Sequence, residues 1–444
     1  MTRPKSNPPT RPTVLEVWLN HVRAGTITNL PNDRNIFLFD EAYVADPSRP
    51  TLSLSFLDAE RNIVPASRQV TARVAPFFSN LLPEGHLREY LAERGGINPV
   101  REFFLLWLLG ADLPGAVRIQ DAEGHPLPPS HAPATGTKPS NGEVLRFSLA
   151  GVQLKFSAVG HPNKQLAIPV EGRGGHWIVK LPSTRYPLVP ENEFSMMTLA
   201  AKAGIDAAEV ALAPTGAIEN LPGRLADDQS NSLIVKRFDR TPEGARIHIE
   251  DFNQVYAQYP QAKYDNYSYG NMAGDIWRVL SSRDLAEFVR RLVFNAGIGN
   301  ADMHLKNWSL IYPDGKTPRL APAYDFVSTI RYLPDNRMAL SIAGEKDPRL
   351  LDTDLLQRFA ARAQLPAAPV IETALEAAEK LVLAWREINA DLPMDAETRK
   401  RIGEQMKSVP LIRQFLKPNA SPLSTRSQIL RRRGRPPRTP RIAE

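Results

Sequence analysis

The stretch NADMHLKNWSLIY, residues 300–312, sets Asp302, His304, Lys306 and Asn307 just ahead of the apolar run WSLIY, which reads as a strand. Polar groups placed where a chain enters its core need a reason, because an unpaired buried polar group costs free energy. Upstream, Leu285, Phe288, Val289, Leu292, Val293 and Ala296 fall on one helical face. Asp284 is expected to cap that helix with Glu287 three positions on, and Gly297 and Gly299 to end it. The polar cluster therefore belongs to a loop held between a helix end and a strand. Downstream, PDG (313–315) turns the chain and RLAPAYDFV (319–327) returns beside the strand. A second helix is predicted near 366–387.

Working outward, VLEVWLN (14–20) alternates like a strand and HVRAGTITNL continues as its hairpin partner, while 74–118 has helical spacing, so 14–120 reads as a small α+β domain after a flexible start over 1–13. Residues 121–143 are rich in Pro, Gly, Ser and Thr and read as a loop. Short strands follow at 144–150, 176–182 and 231–239 around a helical pattern at 191–204, and the chain then turns mainly helical. This divides the remainder into 144–240, a mainly helical 241–416 and a basic tail, 417–444.

The 444 residues are 42% hydrophobic, enough for two or three cores. With no cysteine, the chain has no disulfide, thiolate metal site or thiol nucleophile. No run approaches the roughly 20 apolar residues of a membrane helix, and no apolar signal core opens the chain, which predicts a soluble, cytosolic protein. Residues 417–444 carry eight basic residues against one acidic and so hold the whole formal charge of +7. Nucleic-acid binding is therefore a question about the tail and not the body.

Asp302 and Asn307 stand in D-x-x-x-x-N, the spacing with which a kinase catalytic loop holds a base beside a metal ligand, and Asp325-Phe326 resembles the magnesium-binding Asp-Phe, with Val327 where glycine is usual. Phosphoryl transfer needs a carboxylate at the acceptor hydroxyl and oxygen ligands for a hard cation. Asp302, Asn307 and Asp325 meet that need, and Lys306 is placed to contact the moving phosphoryl group. Lys180 ends the apolar strand WIVK as the nucleotide lysine ends V-A-I-K, with Glu193 in the next helix as its ion-pair partner. No G-x-G-x-x-G loop is present; SLAGVQLK (148–155) is the nearest candidate, with Gly151 allowing close backbone approach and Gln153 and Lys155 as donors. His304 is expected to brace the loop by hydrogen bonding and not to act as a catalyst, with a nucleotide contact as a second expected role. A transition-metal hydrolase centre built on Asp302, His304 and Asp325 competes, but lacks the several His ligands a catalytic zinc prefers.

RFSLAGVQLK, HWIVKLP, ENEF with LAAKAGI, LIVKRFDR, IHIEDFNQ, GNADMHLKNWS and APAYDFVST occur in the order seen in the HipA-like serine/threonine kinases, the toxin halves of bacterial toxin–antitoxin pairs. The resemblance runs from about residue 14 to about 410. It implies an α+β, two-lobed atypical protein-kinase fold, phosphatidylinositol-kinase-like, with a small N-terminal subdomain and a mainly helical C-lobe. By similarity Asp302 is the catalytic base and Asn307 and Asp325 bind Mg²⁺. Lys180 contacts the ATP phosphates, and Ala150, Gly151, Val152, Gln153, Leu154 and Lys155 form the nucleotide loop. Lys236, Arg237 and Phe238 form the hinge, with Tyr324 also lining the nucleotide site. Ser148 is the implied autophosphorylation site, where about −2 charge would expel the loop and inactivate the enzyme. Ala301 departs from the family, where glycine is common. The implied partners are a translation component of the aminoacyl-tRNA synthetase type as protein substrate, a helix-turn-helix antitoxin and operator DNA, in the bacterial cytoplasm at the nucleoid.

RRRGRPPR (431–438) contains Arg433-Gly434-Arg435-Pro436, similar to an AT-hook, whose arginines lie in a narrow A·T minor groove. A solvated polyanion-binding tail is the equal alternative, and some six phosphate contacts would give a log–log salt slope of roughly −5. Two other functions fit the same residues: a catalytically idle, DNA-associated co-repressor, and a small-molecule phosphotransferase.

Overall fold

A computed structural model of the chain describes residues 11–64, 69–127, 155–161, 165–168, 174–183, 185–221 and 229–416. The expected strand at 144–150, most of the Pro-rich stretch and the tail lie outside the described residues.

The N-terminal domain is a five-stranded antiparallel sheet in the order β4-β3-β2-β1-β5, made of β1 (Val14–Leu19), β2 (Val22–Leu30), β3 (Arg34–Phe39), β4 (Val70–Thr71) and β5 (Val117–Asp121). Leu15, Val17 and Leu19 alternate inward, as the sequence pattern predicts. Helix α1 (Glu41–Ala45) follows β3, and α2 (Pro76–Ser79), α3 (Gly85–Arg94) and α4 (Glu102–Leu109) fill about half of the predicted helical stretch. Its end instead returns as β5, because VRIQD pairs with β1, a partner about a hundred positions away that local periodicity does not reveal.

The next lobe is a sheet ordered β10-β7-β6-β8-β11-β9 among the described residues, from β6 (Lys155–His161), β7 (Gln165–Ala167), β8 (Trp177–Lys180), β9 (Val210–Pro214), β10 (Ile218–Glu219) and β11 (Asn231–Lys236). Helix α5 (Val189–Lys202) packs on its inner face. The C-lobe holds the small sheet β12 (His248–Asp251), β13 (Ser309–Tyr312) and β14 (Arg319–Leu320). Around it lie α6 (Phe252–Val255), α7 (Tyr269–Val279), α8 (Ser282–Ile298), α9 (Thr353–Arg362), α10 (Ala367–Ile388), α11 (Ala396–Ser408) and α12 (Pro410–Arg413). One apolar cluster runs from α5 and β11 through α8 and α10, joining the two lobes. Each fully buried Leu, Val or Phe in it contributes about 1.5–3 kcal/mol.

Helix α8 differs from expectation at both ends. Its cap is Ser281, whose hydroxyl accepts from the Asp284 N–H at 3.2 Å while the Asp284 carboxylate accepts from the Ser281 N–H at 3.2 Å. Glu287 is free of capping duty and pairs with Arg291 at 2.9 Å. Gly297 lies inside the helix, where a Cβ would stand 2.5 Å from Leu381 Cδ2; Gly299 alone ends it, at φ 67°.

The N-terminal domain docks on the other two lobes through buried polar bonds. Glu250 accepts from Ser53 Oγ at 2.5 Å, from the Leu54 N–H at 3.0 Å and from the Tyr312 hydroxyl. His248 Nε2–H donates to Leu52 O at 2.8 Å. At the hinge, Asp239 accepts from the Gly115 N–H at 2.8 Å, and Arg240 reaches Asp112 at 3.1 Å.

Candidate active site

In the loop after α8, Met303, Leu305 and Trp308 are buried anchors, His304 and Asn307 are buried with them, and Asp302 and Lys306 are half-buried. Asn300 sets the turn, donating to Asn295 Oδ1 at 2.8 Å and accepting from the Asp302 N–H at 3.0 Å. Asn307 Nδ2 donates to Asp302 O at 2.9 Å, which leaves the amide oxygen for another partner.

Asp325 approaches this loop from the return of β14, in the left-handed region at φ 62°, a strained backbone for a residue with a side chain. The strain is held by neighbours. Phe326 is fully buried against Phe294, with ring centroids 5.0 Å apart. Asn192 of α5 grips Ser328 at both backbone atoms, donating to its carbonyl at 2.9 Å and accepting from its N–H at 3.0 Å. Ser328 Oγ donates to Ile298 O at 2.6 Å, and Thr329 Oγ1 accepts from the Ala301 N–H at 2.8 Å. The loops carrying Asp302 and Asp325 are thus stitched together.

Lys180 completes the centre, donating to both Glu193 and Asp325, and Lys155 Nζ stands 4.0 Å from the same Asp325 oxygen. Burial alone would raise the Asp325 carboxyl, but the charges of Lys155 and Lys180 outweigh it and hold the group well below the carboxylate range. Burial would lower Lys180, yet Asp325 and Glu193 raise it. Burial raises Glu193 against the opposing charge of Lys180. Asp302 is also raised by burial, its hydrogen bond from Tyr264 opposing and the charge of Asp325 adding. Burial, helped by Lys263, pushes His304 down to about 3, so it is a neutral imidazole at physiological pH. Its Nδ1 is buried without a hydrogen-bond partner, beside the carboxylates.

The other expected residues sort differently. Phe238 and Tyr324 face one another at 5.7 Å on the hinge side, with the Tyr324 hydroxyl donating to Lys306 O at 2.8 Å. The Lys236 ammonium is exposed and pairs with Glu209 at 2.7 Å, and the Arg237 guanidinium is committed to Asp239 at 2.8 Å. Any hinge contact they make is through backbone. Lys306, expected at the phosphoryl group, gives its ammonium to Glu84 of the N-terminal domain at 2.7 Å. Ser148, Ala150, Gly151, Val152, Gln153 and Leu154, and Arg433, Gly434, Arg435 and Pro436 of the tail, lie outside the described residues. Asn192, Tyr264, Glu84 and Thr329 are site residues that spacing did not single out. Asn192 and Thr329 sit inside ENEF and APAYDFVST, but nothing local marks what they bind.

Residues 15–120 match the HipA N-terminal domain and residues 147–385, more than half of the chain, match the HipA-like C-terminal domain. The chain belongs to the HipA-like kinases. This HipA-like chain is 49% identical over 408 residues to Y4dM of Sinorhizobium fredii, assigned as a kinase, covering 91% of this chain and 99% of that one. It is 27% identical to the serine/threonine-protein kinase toxin HipA of Shewanella oneidensis, over 72% of this chain and 78% of the toxin. In fold it matches a chain of the Shewanella oneidensis complex of HipA, HipB and operator DNA with a TM-score of 0.67 at 22% identity, covering 90% of this chain and 97% of that chain. The HipA-like architecture is the two-lobed atypical kinase fold with its N-terminal subdomain. No helix among its described residues is long and apolar enough to cross a membrane.

Proposed function

We propose that the chain is an ATP- and Mg²⁺-dependent serine/threonine protein kinase that arrests growth by phosphorylating a translation component in the bacterial cytoplasm. The observation that carries the reading is the meeting of Lys180, Glu193 and Asp325, from β8, α5 and the return after β14, beside the loop of Asp302.

The donor set fits the reaction. Asp325 stays ionised and Asn307 has its amide oxygen to offer, both hard oxygen donors suited to Mg²⁺. Bound there, the cation would offset the negative charge of the phosphates. With Asp325 engaged by the cation, Lys180 would keep Glu193 as its partner and be the residue to hold the phosphates. The orphaned His304 Nδ1 is a polar atom in want of a partner at the same place. Asp302 takes the proton of the acceptor hydroxyl, and its raised pKa makes it a better base than an exposed carboxylate. Phe238 and Tyr324 offer aromatic surface to adenine.

The family resemblance implies a protein substrate of the aminoacyl-tRNA synthetase type and a helix-turn-helix antitoxin as inhibitor; the fold match to a chain of a complex of HipA, HipB and operator DNA supports an antitoxin that brings the kinase to operator DNA, with the Arg433–Pro436 tail as an added groove contact. Ser148 is the proposed self-inactivating phosphosite. Asp302→Asn is the test: transfer from [γ-³²P]ATP should fall by about 10²–10⁴ with the fold intact, and undiminished transfer would refute the base.

A further inference from the structure

The segment 253–264, which runs on from the end of the IHIEDFNQ motif, reaches the catalytic loop through Tyr264. The Tyr264 hydroxyl donates to Asp302 Oδ1, and its ring stands edge-on to His304 at a centroid distance of 4.9 Å. The residue is nevertheless 40% exposed, which leaves it beside the carboxylate and open to solvent. The neighbouring Lys263 accepts the Leu305 N–H of the catalytic loop at 3.2 Å through its carbonyl.

What holds this segment is the N-terminal domain. Glu84, in the link between α2 and α3, pairs with Lys306 at 2.7 Å through one carboxylate oxygen and with Lys263 at 3.2 Å through the other. The same link continues the grip: Asn80 Nδ2 donates to Gln258 O at 2.8 Å, Asn253 Nδ2 donates to Asn80 Oδ1 at 2.9 Å, and the Tyr259 hydroxyl donates to Val74 O at 3.2 Å. Arg73 stacks on the Tyr259 ring at 4.8 Å. A carboxylate that bridges two lysines, one inside the catalytic loop and one beside the tyrosine, fixes the distance between them.

We infer that Tyr264 is a positioning residue for the base Asp302, and that the N-terminal domain sets it in place through the Glu84 bridge to Lys263 and Lys306. This rests on the kinase reading above. Tyr264 holds one carboxylate oxygen and so turns the other to the acceptor hydroxyl. A group positioned this way acts on the rate of transfer more than on nucleotide binding, which falls to Lys180, Glu193 and Asp325, bonded to one another. It also gives the N-terminal domain a part in catalysis.

The test compares the full wild-type chain with Tyr264→Phe, Glu84→Gln and the double variant. Each is given Mg-[γ-³²P]ATP, and transfer to the chain itself and to water is measured with Asp302→Asn as blank. Tyr264→Phe should lower the rate at saturating ATP by about tenfold, as displacement of a reacting group does, and Glu84→Gln should lower it less. The double variant should be no slower than Tyr264→Phe, because the residues act as a unit. Half-saturating ATP and the thermal unfolding midpoint should not move. Wild-type rates in both single variants would overturn the inference while leaving the kinase reading standing. A faster Tyr264→Phe would overturn it too, by making the hydroxyl a plug. Losses that track a lower unfolding midpoint would reduce Glu84 to a structural tie. A wild-type chain no better than the blank would remove the kinase reading itself.

Discussion

Lys180 and Asp325 are in direct ammonium–carboxylate contact although 145 positions separate them in the chain. Lys180 is buried at the end of β8, and Asp325 sits on a strained left-handed turn in the other lobe, so this pair with Glu193 fixes how the lobes meet over the cleft. The lysine is the charge that lets two carboxylates share a buried site.

Lys180→Met removes that charge and leaves Glu193 and Asp325 facing each other without compensation. Losing one partner of a buried pair costs about 3–5 kcal/mol, an upper bound here because Asp325 keeps 24% of its side chain exposed and Lys155 nearby. Chemical denaturation should find the variant less stable, and calorimetry should find its Mg-ATP binding much weakened. Wild-type stability would show the pair to be dispensable.

Asn192→Leu tests the stitch between α5 and the Asp325 turn. It strips both backbone groups of Ser328 of their partner in a buried place, a loss of roughly 2–4 kcal/mol. Phosphate transfer should fall further than stability alone explains, since Asp325 relaxes from φ 62°. A variant with full activity and lowered stability would mean that the turn is held by Phe326 instead.

The interface of the N-terminal domain carries two buried groups with opposed pH responses. Burial raises Glu250 from 4.5 to about 7, so its contribution is complete below 4.5 and declines as pH climbs to 7. Burial lowers His248 from 6.5 to about 4, so its contribution is complete above 6.5 and declines as pH drops to 4. Each spans at most about 3 kcal/mol, and between pH 4.5 and 6.5 they oppose one another. Glu250→Gln should therefore lose stability steadily on acidification from pH 6.5, where wild type stays flatter. Urea unfolding at stepped pH reads this; parallel curves for the two proteins would sink it.

Gly297→Ala places a methyl 2.5 Å from Leu381 Cδ2 and 2.8 Å from Ile412 Cδ1, where α8 crosses α10 and α12. Overpacking of this kind costs about 1–3 kcal/mol. The cost should appear in the denaturation midpoint while Mg-ATP affinity is unchanged, and a neutral or stabilising alanine would show that the two side chains can give way.

The sequence by itself determined the β1–β2 hairpin, the apolar faces of α8 and α10 and the loop of Asp302 to Asn307, because each is written in residues a few positions apart: a period of two, a period of three to four, or a spacing of D-x-x-x-x-N. It also ordered the strand lysine, the helix glutamate and the Asp-Phe along the chain. Only the tertiary structure decided that β5 joins β1, that Asn192 clamps Ser328 and that Glu84 reaches Lys263 and Lys306. Those pairings are between distant residues whose local surroundings are ordinary; their partners are chosen by which surfaces the apolar cores bring together, and a linear pattern holds no record of that choice.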